Sequence, residues 1–269
     1  MIRTFFLAAL AALSLGAHDA PARSIDDMVK VTILPGWSMA DGTHMAALKF
    51  VLEDGWKTYW RAPGEAGIPP RFNWSGSRNL TDVTVEWPTP VQTVTSGMRT
   101  IGYEHSLVLP IRINPARSGH PIHLAGELEI GICSDICVPV TLNIAQDLAT
   151  DVTRPDPRIV AALASRPYSA KEAGVGRVVC QMTPIKGGLA ILAEVDMEQM
   201  GDRELAVLET DNPDLWVAQG VTSRTGNRLR AEAEVFHAEG HSFALNRSGL
   251  RITVLSSGDA VDIRGCPAG

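Results

Sequence analysis

Cys133 and Cys137, separated by three residues in the run GICSDICVPV (131–140), are the side chains of this 269-residue chain best suited to chemistry. A pair at that spacing serves as a structural staple, a soft-metal site or a redox-active dithiol, because the thiolate is both a nucleophile and a ligand for copper(I). Local sequence narrows the choice. If the flanking runs 128–132 and 138–144 form a hairpin, the cysteines face each other across Ser134-Asp135-Ile136. Facing antiparallel residues have Cα atoms about 4.5 to 5.5 Å apart, within disulfide range. Pro139 lacks a backbone donor and suits an edge strand, which puts the pair on an accessible rim, where strained or exposed disulfides are readily reduced. No residue of the loop is cationic, and Asp135 disfavours a neighbouring thiolate. The expectation is a dithiol that passes electrons on when its partner supplies the activation.

The other two cysteines, Cys180 and Cys266, read differently. Four cysteines allow three pairings, and position separates them: Cys180 lies in the first strand of the second half and Cys266 just beyond its last. A bond between them closes a loop of about 86 residues and stabilises by about 4 to 5 kcal/mol on the chain-entropy estimate, against about 2 kcal/mol for Cys133 with Cys137. The long loop reads as structural, and the short one gains too little to be explained that way. Two ordinary staples is the plain alternative.

Other candidate groups carry less. His237-x3-His241 encloses Glu239-Gly240 in a turn-like stretch and, like His120-x2-His123, is not the helical H-E-x-x-H of a zinc hydrolase. There is no G-x-S-x-G elbow, phosphate-binding glycine loop or dinucleotide fingerprint, so no cofactor and no metal is assigned. Tyr103-Glu104-His105 is a candidate neighbour of the hairpin, where His105 would help protons move, although most such histidines are surface residues. Gly55-Trp56, Tyr59-Trp60 and Trp74, interleaved with Pro63, Pro69 and Pro70, suit a recognition surface. Closing one end of a sandwich is the commoner use of such residues, so Tyr59 and Trp60 are given a structural role.

These groups need a scaffold and a compartment. Arg3, the apolar stretch 4–17 and Ala20-Pro21-Ala22 read as a secretory signal peptide over 1–22, whose roughly 14 apolar residues fall short of the ~20 of a membrane span. No later segment approaches a span. The mature chain is expected in an oxidising periplasm, with no membrane insertion after signal removal. A net charge of −6 and 20% charged residues argue against nucleic acid as a partner.

Short alternating runs broken by Gly, Pro, Asn and Asp predict strands over 29–34, 45–52, 83–87, 107–113, 122–130 and 138–144. One helix is expected next, with Asp156 as N-cap, Pro157 at the first position and Ile159, Ala162 and Leu163 as its apolar stripe. Further strands are expected over 178–182, 189–195, 204–208, 215–223, 229–235, 250–255 and 260–264. The fold class is all-β: two immunoglobulin-like sandwiches, over 23–150 and 169–269, joined by a helical linker over 151–168.

The strings GWKTYWRAPGEAGIPPRFNWSGSRNL, VEWPTPV, IGYEHSLVLPIRI and ICSDICVPV resemble the periplasmic N-terminal domain of the thiol:disulfide interchange protein DsbD, closest to the ScsB-like copper-sensitivity suppressor subgroup. The resemblance covers roughly 28–148. It implies that Cys133 and Cys137 take electrons from a membrane-embedded thiol reductase of DsbD/CcdA-like type and pass them to periplasmic thioredoxin-like proteins, in cytochrome c biogenesis or copper tolerance. The best-known relative has a wider cysteine spacing and an aromatic-bearing loop over the pair, whereas the aligned region here, 93–101, has no Phe, Tyr or Trp. A non-catalytic binding protein and a copper(I)-handling module are the alternatives.

Overall fold

The structure, a computed structural model, describes residues 24–95 and 97–269; the expected leader over 1–22 lies outside the described residues. The first half contains β1 (Val29–Ser38), β2 (His44–Leu52), β3 (Lys57–Gly64), β4 (Arg71–Asn73), β5 (Asp82–Val85), β6 (Val91–Thr95), β7 (Met98–Glu104), β8 (Ser106–Asn114), β9 (Ile122–Cys133) and β10 (Cys137–Leu148). They form two sheets, ordered β1-β2-β8-β5 and β10-β9-β3-β7-β6, with β4 pairing β9. Phe50, Leu109 and Ile111 from the first sheet meet Trp60, Ile101, Leu128 and Ile132 from the second in one core. Side chains alternate across a strand, so each sheet offers one face to that core.

Helix α1 (Pro157–Ala164) follows. The Asp156 carboxylate caps it by accepting from the Arg158 N–H, and Pro157 occupies the first position, where no donor is needed. Ile159 is buried with Leu34, Trp37, Met45 and Ala47, on the opposite side of the β1–β2 pair from the main core, and Leu163 packs beside it. The linker helix is thus docked on the first sandwich.

The second half contains β11 (Tyr168–Ser169), β12 (Val178–Ile185), β13 (Gly188–Asp196), β14 (Leu205–Glu209), β15 (Leu215–Val217), β16 (Val221–Thr225), β17 (Arg228–His237), β18 (Arg251–Leu255) and β19 (Ala260–Arg264). Its sheets run β11-β19-β18-β14 and β12-β13-β17-β15, with β16 also on β17. The strand expected over 215–223 is two short strands, because the register on β17 shifts by one residue between Val217 opposite Val235 and Val221 opposite Glu232.

The β11-β19-β18-β14 sheet is buried on both faces. Ala206, Leu208, Ile252, Val254, Val261 and Ile263 enter the second core, while Leu205, Val207, Leu255 and Ala260, on the opposite face, join the core of the first sandwich. Register places Glu209, Thr253 and Asp262 on that same inward face. One sheet therefore belongs to its own sandwich and also docks it on the other.

Candidate functional site

Cys133 ends β9 and Cys137 begins β10; they are register partners joined by a disulfide, with Cα atoms 4.1 Å apart. Within the turn the Ser134 N–H donates to the Ile136 carbonyl at 3.2 Å. The two sulfur-bearing residues differ in access: Cys133 is 1% exposed, whereas Cys137 is exposed beside Ile136, itself 72% exposed.

A third residue completes the site. β3 runs beside β9 with Lys57 opposite Cys133 and Thr58 opposite Ile132. Trp60 points into the core, so Tyr59 points to the other face of the sheet. Its hydroxyl donates to Cys133 Sγ and lies 3.2 Å from Cys137 Sγ. A disulfide sulfur carries no proton, so the phenol is the donor to either one.

The ring sits where glycine has been left beneath it. A Cβ on Gly131 would lie 2.8 Å from Tyr59 Cδ2 and 2.6 Å from Ile68 Cβ, and one on Gly67 would lie 2.9 Å from Tyr59 Cδ1. The segment 64–70 therefore closes over Tyr59 and leaves it 2% exposed. Burial raises the phenol above its usual pKa, so it remains a protonated donor at physiological pH.

Of the remaining groups, the Lys57 ammonium donates to Thr93 and Thr100 at 3.4 and 3.3 Å, tying β3 to the β6–β7 hairpin. Glu104 is opposite Lys57, two strands from Cys133 and so about 10 Å from it; His105 lies beyond, in the β7–β8 turn. His123 bonds Asp147 at 2.6 Å and His120 faces the Ser118 carbonyl. The rings of His237 and His241 lie 4.9 Å apart. Among the described residues no group of three or more His, Cys, Asp or Glu is placed to hold a metal.

Cys180 and Cys266 form the second disulfide, each 1% exposed, inside the second core. The Cys180 N–H donates to the Pro267 carbonyl at 2.8 Å, and Arg247 donates to the Cys180 carbonyl. No hydroxyl or ammonium is bonded to its sulfurs among the described residues.

Tyr59 is the site residue that sequence reasoning assigned elsewhere. Its segment reads as mixed aromatic and polar, without alternation. The usable signal was the two-residue offset from Lys57, visible only once β3 is paired with β9. The segment 93–101, expected from the resemblance to occupy the place of a covering loop, contributes to β6 and β7. The aromatic beside the sulfurs comes from β3.

An all-β chain with a disulfide bridging the mouth of an edge hairpin defines the class. Residues 29–148, a little under half of the chain, match the family model described as thiol:disulfide interchange protein DsbD, N-terminal. The crystal structure of the N-terminal periplasmic domain of ScsB from Proteus mirabilis is similar to this chain over 92% of its length and 97% of that domain, with a TM-score of 0.68 and 21% identity. The reduced N-terminal domain of Neisseria meningitidis DsbD aligns with 47% of this chain and 90% of that domain, at a TM-score of 0.27 and 16% identity. None of the curated proteins compared with the chain matches it. Among the described residues no helix is long and apolar enough to cross a membrane.

Proposed function

We propose that the protein is a periplasmic thiol:disulfide interchange module in which Cys133 and Cys137 cycle between disulfide and dithiol. In this reading 23–150 is the redox unit, 151–168 the linker and 169–269 the supporting unit. The observation that carries it is the asymmetric disulfide: Cys137 exposed, Cys133 buried, and a phenol hydroxyl against both sulfurs.

The asymmetry assigns roles. A thiolate of a membrane-embedded reductase attacks Cys137 Sγ, the accessible sulfur; a new S–S bond forms, the Cys133–Cys137 bond breaks, and Cys133 leaves as a thiolate. The Tyr59 hydroxyl, already aimed at Cys133 Sγ, then bonds an anion, and hydrogen bonds to ionised acceptors are about twice as strong. The second thiolate of the reductase attacks its own sulfur in the mixed disulfide and releases Cys137. Two electrons have entered the module, protons from solvent complete the dithiol, and the reductase is oxidised to its disulfide. The reverse sequence, with Cys137 attacking and Cys133 resolving, reduces a thioredoxin-like acceptor.

Trapping tests this. In cells, Cys133→Ala should accumulate a reductant-sensitive adduct through Cys137, seen as a gel-shifted species, and the wild-type pair should become fully oxidised when the membrane reductase is deleted. If neither single-cysteine variant forms an adduct and the wild-type pair is always oxidised, the bond is a staple.

A further inference from the structure

Arg61 lies two residues beyond Tyr59 on β3 and reaches into the other sandwich. Its Nε and Nη2 donate to Glu209 Oε1 and Oε2, each at 2.9 Å, and Nη2 also donates to Thr253 Oγ1 at 3.1 Å. The guanidinium carbon sits 3.8 Å from the centre of the Trp60 ring. The side chains of Arg61 and Glu209 are 13% and 20% exposed, so this two-pronged bond is made away from bulk water, where planar guanidinium–carboxylate geometry fixes position most tightly. Beside it Arg251 and Arg264 both hold Asp262, which leaves Glu209 to Arg61.

The placement matters because β3 loses its ladder at this point. Its pairing with β9 covers only Lys57 and Thr58. Its regular pairing with β7 ends at Tyr59 opposite Gly102, and the register resumes only at Gly64 opposite Thr100. Tyr59 is thus the last residue that the sheet holds before the register shift. The next polar anchor along the strand is Arg61, and that anchor stands on β14 and β18 of the second sandwich.

We propose that the second sandwich is a positioning element for the redox pair: the grip of Glu209 and Thr253 on Arg61 holds the end of β3 where the Tyr59 hydroxyl meets Cys133 and Cys137. Arg61, Glu209 and Thr253 are positioning residues that act through Tyr59. This assignment rests on the interchange reading above and gives the second sandwich a part in it.

The test uses the full chain and two readouts that a purely structural role would not move. These are the rate at which dithiothreitol reduces the 133–137 disulfide and the thiol pKa of the reduced pair, from the pH dependence of its alkylation. Tyr59→Phe should slow reduction about two- to tenfold, the net worth of one hydrogen bond expressed as a rate, and raise the thiol pKa. Glu209→Gln should act in the same direction to a smaller extent. Combined with Tyr59→Phe it should add nothing, because both changes remove the same contact. Simple electrostatics predicts the opposite sign, since loss of the Glu209 charge leaves Arg61 more positive and lowers a nearby thiol pKa.

Arg61→Lys keeps the charge and loses the fork, and should reproduce Glu209→Gln. Thr253→Val removes one of the three bonds and supplies a milder variant if Glu209→Gln folds poorly. Wild-type rates in Glu209→Gln and Arg61→Lys, or effects that multiply with Tyr59→Phe, overturn the positioning role and leave interchange standing. A wild-type 133–137 disulfide as inert to dithiothreitol as the 180–266 bond sinks the interchange reading and this assignment with it.

Discussion

The two disulfides of this chain have the same covalent chemistry and opposite surroundings. Cys180–Cys266 joins residues 86 apart in sequence, lies inside a core and, among the described residues, has neighbours bonded only to its backbone. Cys133–Cys137 joins residues four apart, ends a hairpin whose register already places the two side by side, and has a phenol bonded to sulfur. Removing the first releases a long loop in the unfolded chain, whereas removing the second releases almost nothing that the turn does not already restrain. Burial and loop length identify the stabilising bond. Access and a donor aimed at sulfur support the proposal that the short-loop bond is the exchanging one.

Replacing each pair in turn should produce the largest effects and can break this comparison outright. Cys180→Ala with Cys266→Ala should cost about 4 to 5 kcal/mol in denaturant unfolding while exchange persists at temperatures where the variant is folded. Cys133→Ala with Cys137→Ala should abolish exchange and cost at most about 2 kcal/mol. Exchange surviving loss of Cys133 and Cys137 would reverse the assignment.

Much of the contrast was legible in the sequence. Loop length needs only residue numbers, and the alternation of 122–130 and 138–144 sufficed to predict the hairpin that brings Cys133 to Cys137. The docking of α1 was legible in part, since Asp156, Pro157 and the Ile159 stripe signal a helix and an apolar face but not the surface that receives it. The dual role of the β14–β18–β19 sheet was not legible: Leu205-Ala206-Val207-Leu208 is a continuous apolar run, which signals burial on both faces without naming the partners. β3 was missed because Tyr59, Trp60 and Arg61 face three different environments in succession: a disulfide, a core and a neighbouring sandwich. Such a strand has no period to detect.

A glycine sharpens the comparison at the next level down. Gly131 is directly opposite Pro139, beneath Tyr59 and Ile68. Gly131→Ala puts a methyl group where the ring carbons and Ile68 leave 2.6 to 2.9 Å, so overpacking should cost about 1 to 3 kcal/mol. The ring must move to accept it, so exchange should slow together with stability. A loss of stability with an unchanged exchange rate would show that the position of Tyr59 is immaterial to the sulfurs. The 180–266 bond has no counterpart to this coupling, and its integrity in the variant, followed by thiol counting after partial denaturation, serves as the control.

The smallest expected effect uses pH to separate the scaffold from the proposed redox pair. His44 is 2% exposed on β2, with Nε2 2.7 Å from the Pro35 carbonyl and Nδ1 3.4 Å from Ser38 Oγ. Burial lowers its pKa below the ordinary 6.5, and the bond to Pro35 offsets this only in part. The folded protein therefore holds His44 neutral at a pH where the unfolded chain has begun to protonate it. Between the lowered folded value and 6.5 the unfolded state binds more protons, so stability rises with pH across that window, and as pH falls through it stability is lost. Above about pH 7 the contribution is complete, whereas exchange goes on rising toward the thiol range near 8.5 as thiolate accumulates. His44→Gln should flatten the acid limb of the unfolding free energy and leave the pH profile of exchange unchanged. If the exchange profile shifts with it, the scaffold and the redox pair titrate together, and the division drawn between them fails in the first sandwich.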